Sequence, residues 1–294
     1  MSKTNKTAGA RKKIGLALGG GGAKGLAHIG VIKALKYAGI PIDFISGTSM
    51  GALVGGWYAL TEDIEFLEDF FIKIKTGDIF PLREILKKKG GSIFQGDFVL
   101  KMAEKHFKGA KIEDCKIPFS AVATDIKTGD EAVFEKGKLS DVIRASSALP
   151  VIFQPVEIDK KIFMDGGFVN PVPADVVRKM GADYVIAVDV SSRWISSPDE
   201  AAEVKDIFTM MSNTLSVIEY QLAKNILKSA DLVLRPPVLN FGWLEFGKTE
   251  EIVRVGREEA GLHIKEIKRG AVIPERPKTA EEKILDFIFD GGHE

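Results

Sequence analysis

Four consecutive glycines, Gly19-Gly20-Gly21-Gly22, continuing as Ala23-Lys24-Gly25, constrain this chain more than any other feature. Glycine loses the most backbone entropy on folding and packs no side chain. Such a run makes sense where the backbone must turn sharply and bare its N–H groups. Before it stands the apolar run Ile14-Gly15-Leu16-Ala17-Leu18, which reads as a buried strand. After it, residues 26–37 place Ile29, Ile32 and Leu35 at helical spacing, with Gly39-Ile40-Pro41 as a stop. Phe44-Ile45 reads as a second strand, and residues 50–60 as a buried helix with small residues at Gly51, Ala52, Gly55 and Gly56. Strand–helix–strand–helix is the opening of a parallel α/β sheet. Amides at a strand-to-helix turn stabilise negative charge, which could belong to a phosphate or to a transition-state oxyanion.

The phosphate readings fail on detail. Gly20, Gly22 and Gly25 satisfy G-x-G-x-x-G, but the dinucleotide pattern also wants an acid at the end of the second strand. Asp43 precedes Phe44-Ile45 and is at the wrong end. A P-loop needs Gly-Lys followed by Ser or Thr, and here Lys24 precedes Gly25. A second motif favours the oxyanion. Gly47-Thr48-Ser49-Met50-Gly51 is G-x-S-x-G between a predicted strand and a predicted helix, the setting of a nucleophile elbow. The turn exposes the Ser49 hydroxyl, and Gly47 and Gly51 relieve the crowding.

A serine nucleophile needs a base. The four histidines, His28, His106, His263 and His293, are scattered, and none stands in a glycine-bounded loop after a strand. His28 reads as a hydrogen-bonded packing residue of the first helix. The run Ile162-Phe163-Met164 leads instead into Asp165-Gly166-Gly167. A carboxylate at a strand end can accept the serine proton if partial desolvation raises its basicity. Taken alone, Asp-Gly-Gly is also an ordinary turn.

The rest of the chain resumes the α/β pattern. Strands are expected at 119–123 and 184–190, with a last short one at Leu232–Leu234. Helices are expected at 139–145, 173–180, 201–229, 249–267 and 281–289. The helix at 201–229 carries an apolar stripe of Val204, Ile207, Phe208, Met211, Leu215, Ile218, Leu222 and Ile226, read as core. Residues 62–75 are amphipathic. Residues 83–111 hold eight Lys/Arg against three acids, and the two stretches together read as a helical cap inserted at about 62–115. Its basic excess is either a solvated face or a surface for anionic head groups.

Composition narrows the function. Lys plus Arg and Asp plus Glu each count 41, and this zero net charge disfavours nucleic acid as the partner. One cysteine and dispersed histidines offer neither a disulfide framework nor a metal-ligand spacing. No apolar run is long enough to span a membrane. Residues 1–12 read as a disordered basic start, and 13–294 as one domain. The localisation expected is cytoplasmic, with room for peripheral contact at the inner membrane face.

Three motifs in order, Gly19–Gly25, Gly47–Gly51 and Asp165-Gly166-Gly167, together with Leu26-Ala27-His28-Ile29-Gly30-Val31 and Ala145-Ser146-Ser147-Ala148-Leu149-Pro150, resemble the patatin-like phospholipases, especially small bacterial ones. The resemblance runs from about residue 13 to 189, and more weakly through Arg235-Pro236-Pro237 and Gly256. It implies a three-layer α/β/α fold with a mainly parallel central sheet. It also implies a Ser49–Asp165 dyad without histidine, with Ser49 as nucleophile and Asp165 as general base. The oxyanion hole would be made by the amides of Gly20, Gly21 and Gly22. Gly25, Gly47, Gly51, Gly166 and Gly167 are carried over as motif support. Lys24 stands where many members have arginine, keeping the charge but not the planar fork. The implied reaction is cleavage of fatty acyl esters of phospholipids, lysophospholipids or related lipids, with no metal or organic cofactor. Phe66, Phe70, Phe71, Ile79, Phe80, Ile93 and Phe94 are candidates for an acyl-chain channel. The rival readings are a non-catalytic lipid- or protein-binding regulator on the same fold, and a nucleotide-binding oxidoreductase. A homo-oligomer is compatible with the sequence.

Overall fold

A computed structural model describes residues 10–73, 105–150, 152–191 and 207–273. Its strands are β1 (Ile14–Leu18), β2 (Phe44–Thr48), β3 (Phe119–Asp125), β4 (Glu131–Phe134), β5 (Val156–Ile158), β6 (Lys161–Asp165), β7 (Tyr184–Val188) and β8 (Leu232–Leu234). The helices are α1 (Ala27–Tyr37), α2 (Met50–Thr61), α3 (Ile64–Lys73), α4 (Leu139–Ser146), α5 (Ala174–Lys179), α6 (Ile207–Ile226) and α7 (Thr249–Gly270). All eight strands form one sheet, in which β3-β2-β1-β7-β8 run parallel and β4, β5 and β6 pair antiparallel.

Both faces of this sheet are covered, as its uninterrupted apolar strands require. Ile14, Leu16 and Leu18 of β1 point with Tyr184, Ile186 and Val188 of β7 into a core shared with α1, α2, α3 and α7. The alternating residues Ala17, Val185 and Ala187 point to the other face, against Ala174 and Val177 of α5 and Ala223 near the end of α6. The result is three layers with the sheet in the middle. β1 lies between β2 and β7, so the chain winds outward from it in both directions. Ligands of open α/β sheets bind at the carboxyl ends of strands at such a switch point. The glycine loop after β1 and the serine turn after β2 both stand there.

The register then brings a third strand to the same place. On β3, Ala121 to Thr124 pair with β4 along one edge. Val122 also pairs with Thr48 of β2, and Ala123 with Asp165 of β6. A strand has two edges, so β2 and β6 share the edge opposite β4. They meet there end to end, β2 running up to Thr48 and β6 running down to Asp165.

Several expectations shift. β2 does not stop at Ile45 but continues through Ser46-Gly47-Thr48, because both polar side chains find buried partners. Ser120 Oγ donates to Ser46 Oγ (2.9 Å), and Thr48 Oγ1 donates to the Asn170 carbonyl (2.7 Å). Strand β7 ends at Val188, short of the expected 190. The short edge strands β4 and β5 are four and three residues long, too short for sequence periodicity to mark them. Contacts to the sheet begin before residue 13: Arg11 clasps Asp43 at 2.6 and 2.8 Å, and the Lys12 N–H donates to the Ala271 carbonyl. Ile64, Leu67 and Phe71 of α3 belong to the main core, and Phe71 stacks on Phe246. Phe71 is therefore core rather than channel lining. Phe66 stacks on Trp57 at 5.3 Å. The stretch 74–104, with Ile79, Phe80, Ile93 and Phe94, lies outside the described residues, as do the expected helix at 281–289 and His293.

The main helix–helix contact depends on two glycines. A Cβ on Gly30 of α1 would overlap the Val253 carbonyl oxygen of α7, and one on Gly256 would overlap that of Ala27. Gly30→Val is therefore expected to cost about 3 kcal/mol or more, because neither backbone can yield without opening the core. A urea denaturation curve reads this directly.

Candidate active site

Ser49 sits between β2 and α2 with φ 55° and ψ −120°. A non-glycine residue is held in this region only when its surroundings over-determine it. Here they do. A Cβ on Gly51 would collide with the Leu18 carbonyl, so only glycine lets α2 start so close to β1. The Ser49 N–H donates to Ser146 Oγ (2.9 Å), and Ser146 Oγ donates onward to the Val122 carbonyl (2.6 Å). The turn is thus tied to α4 and β3. Ser146→Ala would leave two buried backbone groups without partners, an expected loss of about 1–3 kcal/mol that a shift in the denaturation midpoint would report.

Asp165 ends β6 and is 2% exposed. Its N–H donates to the Ala148 carbonyl, its own carbonyl accepts from Thr124 Oγ1, and its Oδ1 accepts from the Gly167 N–H at 2.8 Å. Burial pushes the carboxyl up to about 6. The Gly167 amide and the nearby Ser49 hydroxyl pull the other way. The segment Ala145–Pro150 therefore serves both groups: Ser146 holds the amide of Ser49, and Ala148 holds that of Asp165.

The glycine loop faces the same hydroxyl. A Cβ on Gly20 would lie 3.4 Å from the Ser49 Cβ. The loop's amides do not all face the serine, however. Gly19 donates to the Val188 carbonyl (3.1 Å), and Gly20 to that of Pro171 (2.9 Å). The Gly20 N–H, one of the three expected oxyanion donors, is thus committed to a carbonyl. Among the described residues, the amides of Gly21 and Gly22 have no backbone acceptor. Gly22 opens the 3-10 turn Gly22–Leu26 at φ 58°, and its Cα packs on Trp243, whose ring would lie 2.5 Å from a Cβ there. Both the backbone angle and the space demand glycine.

His28 is fully buried and donates from Nε2 to the Gly19 carbonyl at 2.7 Å, which fixes its tautomer. Burial pushes it down to about 4, against the opposing pull of that bond, so it stays neutral. It braces the loop and is turned away from acting on Ser49. His106 packs among Trp57, Phe66 and Phe70, and His263 pairs with Glu266 on α7.

The family model for patatin-like phospholipases matches residues 16–178, more than half of the chain. The chain belongs to the patatin-like phospholipase family. Among curated relatives, it is 31% identical over 299 residues to lysophospholipase nte1 of Aspergillus fumigatus, covering 93% of this chain and 20% of that one. It is 34% identical over 286 residues to patatin-like phospholipase domain-containing protein 7 of Rattus norvegicus, covering 85% and 21%. The chain therefore spans about a fifth of the length of these relatives. Among solved structures, VipD from Legionella pneumophila matches with a TM-score of 0.51 at 13% identity, over 96% of this chain and 77% of that one, a likeness of fold.

Within this patatin-like domain the structure brings Ser49, Asp165 and the glycine loop together, with Gly25, Gly47, Gly51, Gly166 and Gly167 as their close-packed supports. Gly25 lies against Met50, Gly47 against Gly51, and Gly166 against the Val122 carbonyl. Lys24 is largely buried, and burial lowers its ammonium against an opposing pull from Glu219. Sequence reasoning missed Glu219. Among the described side chains of α6, Leu215, Glu219 and Ala223 are buried, followed by Leu227 just beyond, while Ile218 of the expected stripe is 37% exposed; Val204, Ile207, Phe208 and Met211 of that stripe lie outside the described side chains. A charged residue in the true stripe steered the apolar pattern one position aside. Among the described residues no group of three or more His, Cys, Asp or Glu side chains could hold a metal ion, and no helix is long and apolar enough to cross a membrane.

Proposed function

We propose that this chain is a serine acyl hydrolase that cleaves fatty acyl esters of lipids through Ser49 and Asp165. The observation that carries the reading is the strained Ser49 turn, with its hydroxyl beside a buried carboxyl whose affinity for a proton is raised. Asp165 takes the hydroxyl proton as Ser49 Oγ attacks the ester carbonyl. The tetrahedral oxyanion is met by the amides of Gly21 and Gly22, each worth roughly 2.7–4 kcal/mol of barrier. The alcohol or lysolipid departs with the proton that Asp165 returns. Water, deprotonated by the same carboxylate, then attacks the acyl-enzyme and frees the fatty acid. The balance needs neither metal nor organic cofactor.

The names of the relatives, lysophospholipase and patatin-like phospholipase, support a lipid ester as substrate. The same reading assigns the basic excess at 83–111 and the N-terminal lysines to an anionic membrane surface. A fluorophosphonate probe tests the core of the proposal: mass spectrometry should find one adduct, on the peptide holding Ser49. Phospholipids, lysophospholipids and neutral glycerides, each presented alone, should yield free fatty acid from at least one class. No adduct and no fatty acid would overturn the proposal.

A further inference from the structure

The buried face of α6 delivers a carboxylic acid to the site. Glu219 is 4% exposed, and two glycines locate its carboxyl. A Cβ on Gly167 would lie 2.6 Å from Glu219 Oε1 and 3.2 Å from Asp165 Oδ1, so the two oxygens are no farther apart than those distances laid end to end. A Cβ on Gly20 would lie 3.5 Å from the same Oε1 and 3.4 Å from the Ser49 Cβ. Glu219 therefore sits between the Asp-Gly-Gly turn and the glycine loop, beside both Ser49 and Asp165.

Among the described residues, three charged groups act on it: Asp165 at the end of β6, Asp189 just past β7, and Lys24 in the 3-10 turn. Asp189 also accepts from the Ser191 amide and hydroxyl and faces Arg235 at 3.6 Å. On α6 itself, Lys224 leans over the Tyr220 ring at 4.4 Å. His28, bound to the Gly19 carbonyl, is neutral. Two buried carboxyls this close do not both ionise cheaply, and their protons leave in two steps that belong to the pair. Asp165 has the Gly167 amide and the Ser49 hydroxyl to stabilise its anion. Among the described residues, Glu219 has two acids beside it and only Lys24 against them. The anion therefore falls on Asp165 and the proton on Glu219.

We infer that Glu219 is a positioning residue that stays protonated through turnover, keeping the single negative charge of the carboxyl pair on Asp165 and the oxyanion position free of a competing charge. This rests on the reading of Ser49 and Asp165 as nucleophile and base. Ionising Glu219 would place a fixed anion beside Ser49 and Asp165, opposing the negative charge that builds up in the site, and rate would fall. Burial and the neighbouring acids push Glu219 up to about 8, and Asp165 stands at about 6. The working form, Asp165 charged and Glu219 neutral, is the major one between those values.

The test is the pH profile of kcat/KM for a soluble acyl ester, each protein normalised to its own maximum. The unaltered chain should give a bell, falling about tenfold per pH unit above the upper limb. Glu219→Gln, neutral at every pH, should keep the acid limb and lose the alkaline one. An alkaline limb unchanged in Glu219→Gln overturns the inference while leaving the dyad intact. A chain that neither hydrolyses ester nor labels with fluorophosphonate overturns the dyad instead.

Stability supplies a readout that needs neither the variant nor turnover. The folded state holds a proton that the unfolded chain releases near 4.5, so stability should decline as pH rises from about 4.5 up to about 8. Asp165 contributes to this decline only up to about 6. Urea midpoints of the unaltered chain that do not fall between those two values would overturn the inference.

Discussion

Ser49→Ala should lose ester hydrolysis by about four to six orders of magnitude while the protein stays folded. The size follows from removing the only atom that forms the acyl bond. Water held by the remaining amides is a poor substitute. Folding should survive because alanine fills less space than serine at φ 55° and meets the same backbone strain. The contacts that fix the turn, from the Ser49 N–H to Ser146 and from Thr48 to the Asn170 carbonyl, do not use the lost hydroxyl. Hydrolysis of a medium-chain p-nitrophenyl ester, read beside circular dichroism, decides the matter. A folded variant with full activity would remove Ser49 from the mechanism.

Asp165→Asn should cost about two to four orders of magnitude. Asparagine occupies the same space but cannot take a proton. The acid side of the pH profile should go with it. In the unaltered chain, a base role for the carboxylate predicts activity that is lost as pH falls through about 6. The residual rate of the variant should show no such limb. Stability should move the opposite way. A carboxyl raised from 3.8 to about 6 binds its proton more tightly in the folded state, so the native chain loses stability as pH climbs between those values. Above pH 6 the asparagine variant, with no charge to bury, should therefore unfold at a urea concentration no lower than the parent's. A lower midpoint at pH 8 would mean that Asp165 supports the fold rather than burdening it.

Much of the fold was legible because its signals are local. β1 and β8 have the bounds that their apolar runs suggest, and α1 and α2 follow the helical spacing of their apolar residues. The glycine loop and the serine turn identify themselves by demanding backbone that only glycine, or a strained serine, can supply. Less visible were features whose cause lies far along the chain. β4 and β5 are only four and three residues long and acquire strand form by pairing with β3 and β6. The end of β2 was hidden because Ser46 and Thr48 look like turn residues until Ser120 and Asn170 satisfy them.

Within the site, the sequence by itself marked the glycine loop and the Ser49 turn, and singled out Asp165 through its resemblance to a family. Each is bound to a motif a few residues long, and backbone chemistry dictates the residue types in it. Three things were decided only by tertiary structure. Gly20 is removed from the free amides because its N–H meets a carbonyl on Pro171, a distant residue that no spacing rule connects to it. Ser49 and Asp165 are joined because β2 and β6 meet end to end on one edge of β3, a matter of strand register. Glu219 is drawn into their company because α6 turns that face inward. A glutamate in a helical stripe carries no mark of burial until the carboxyl beside it is known.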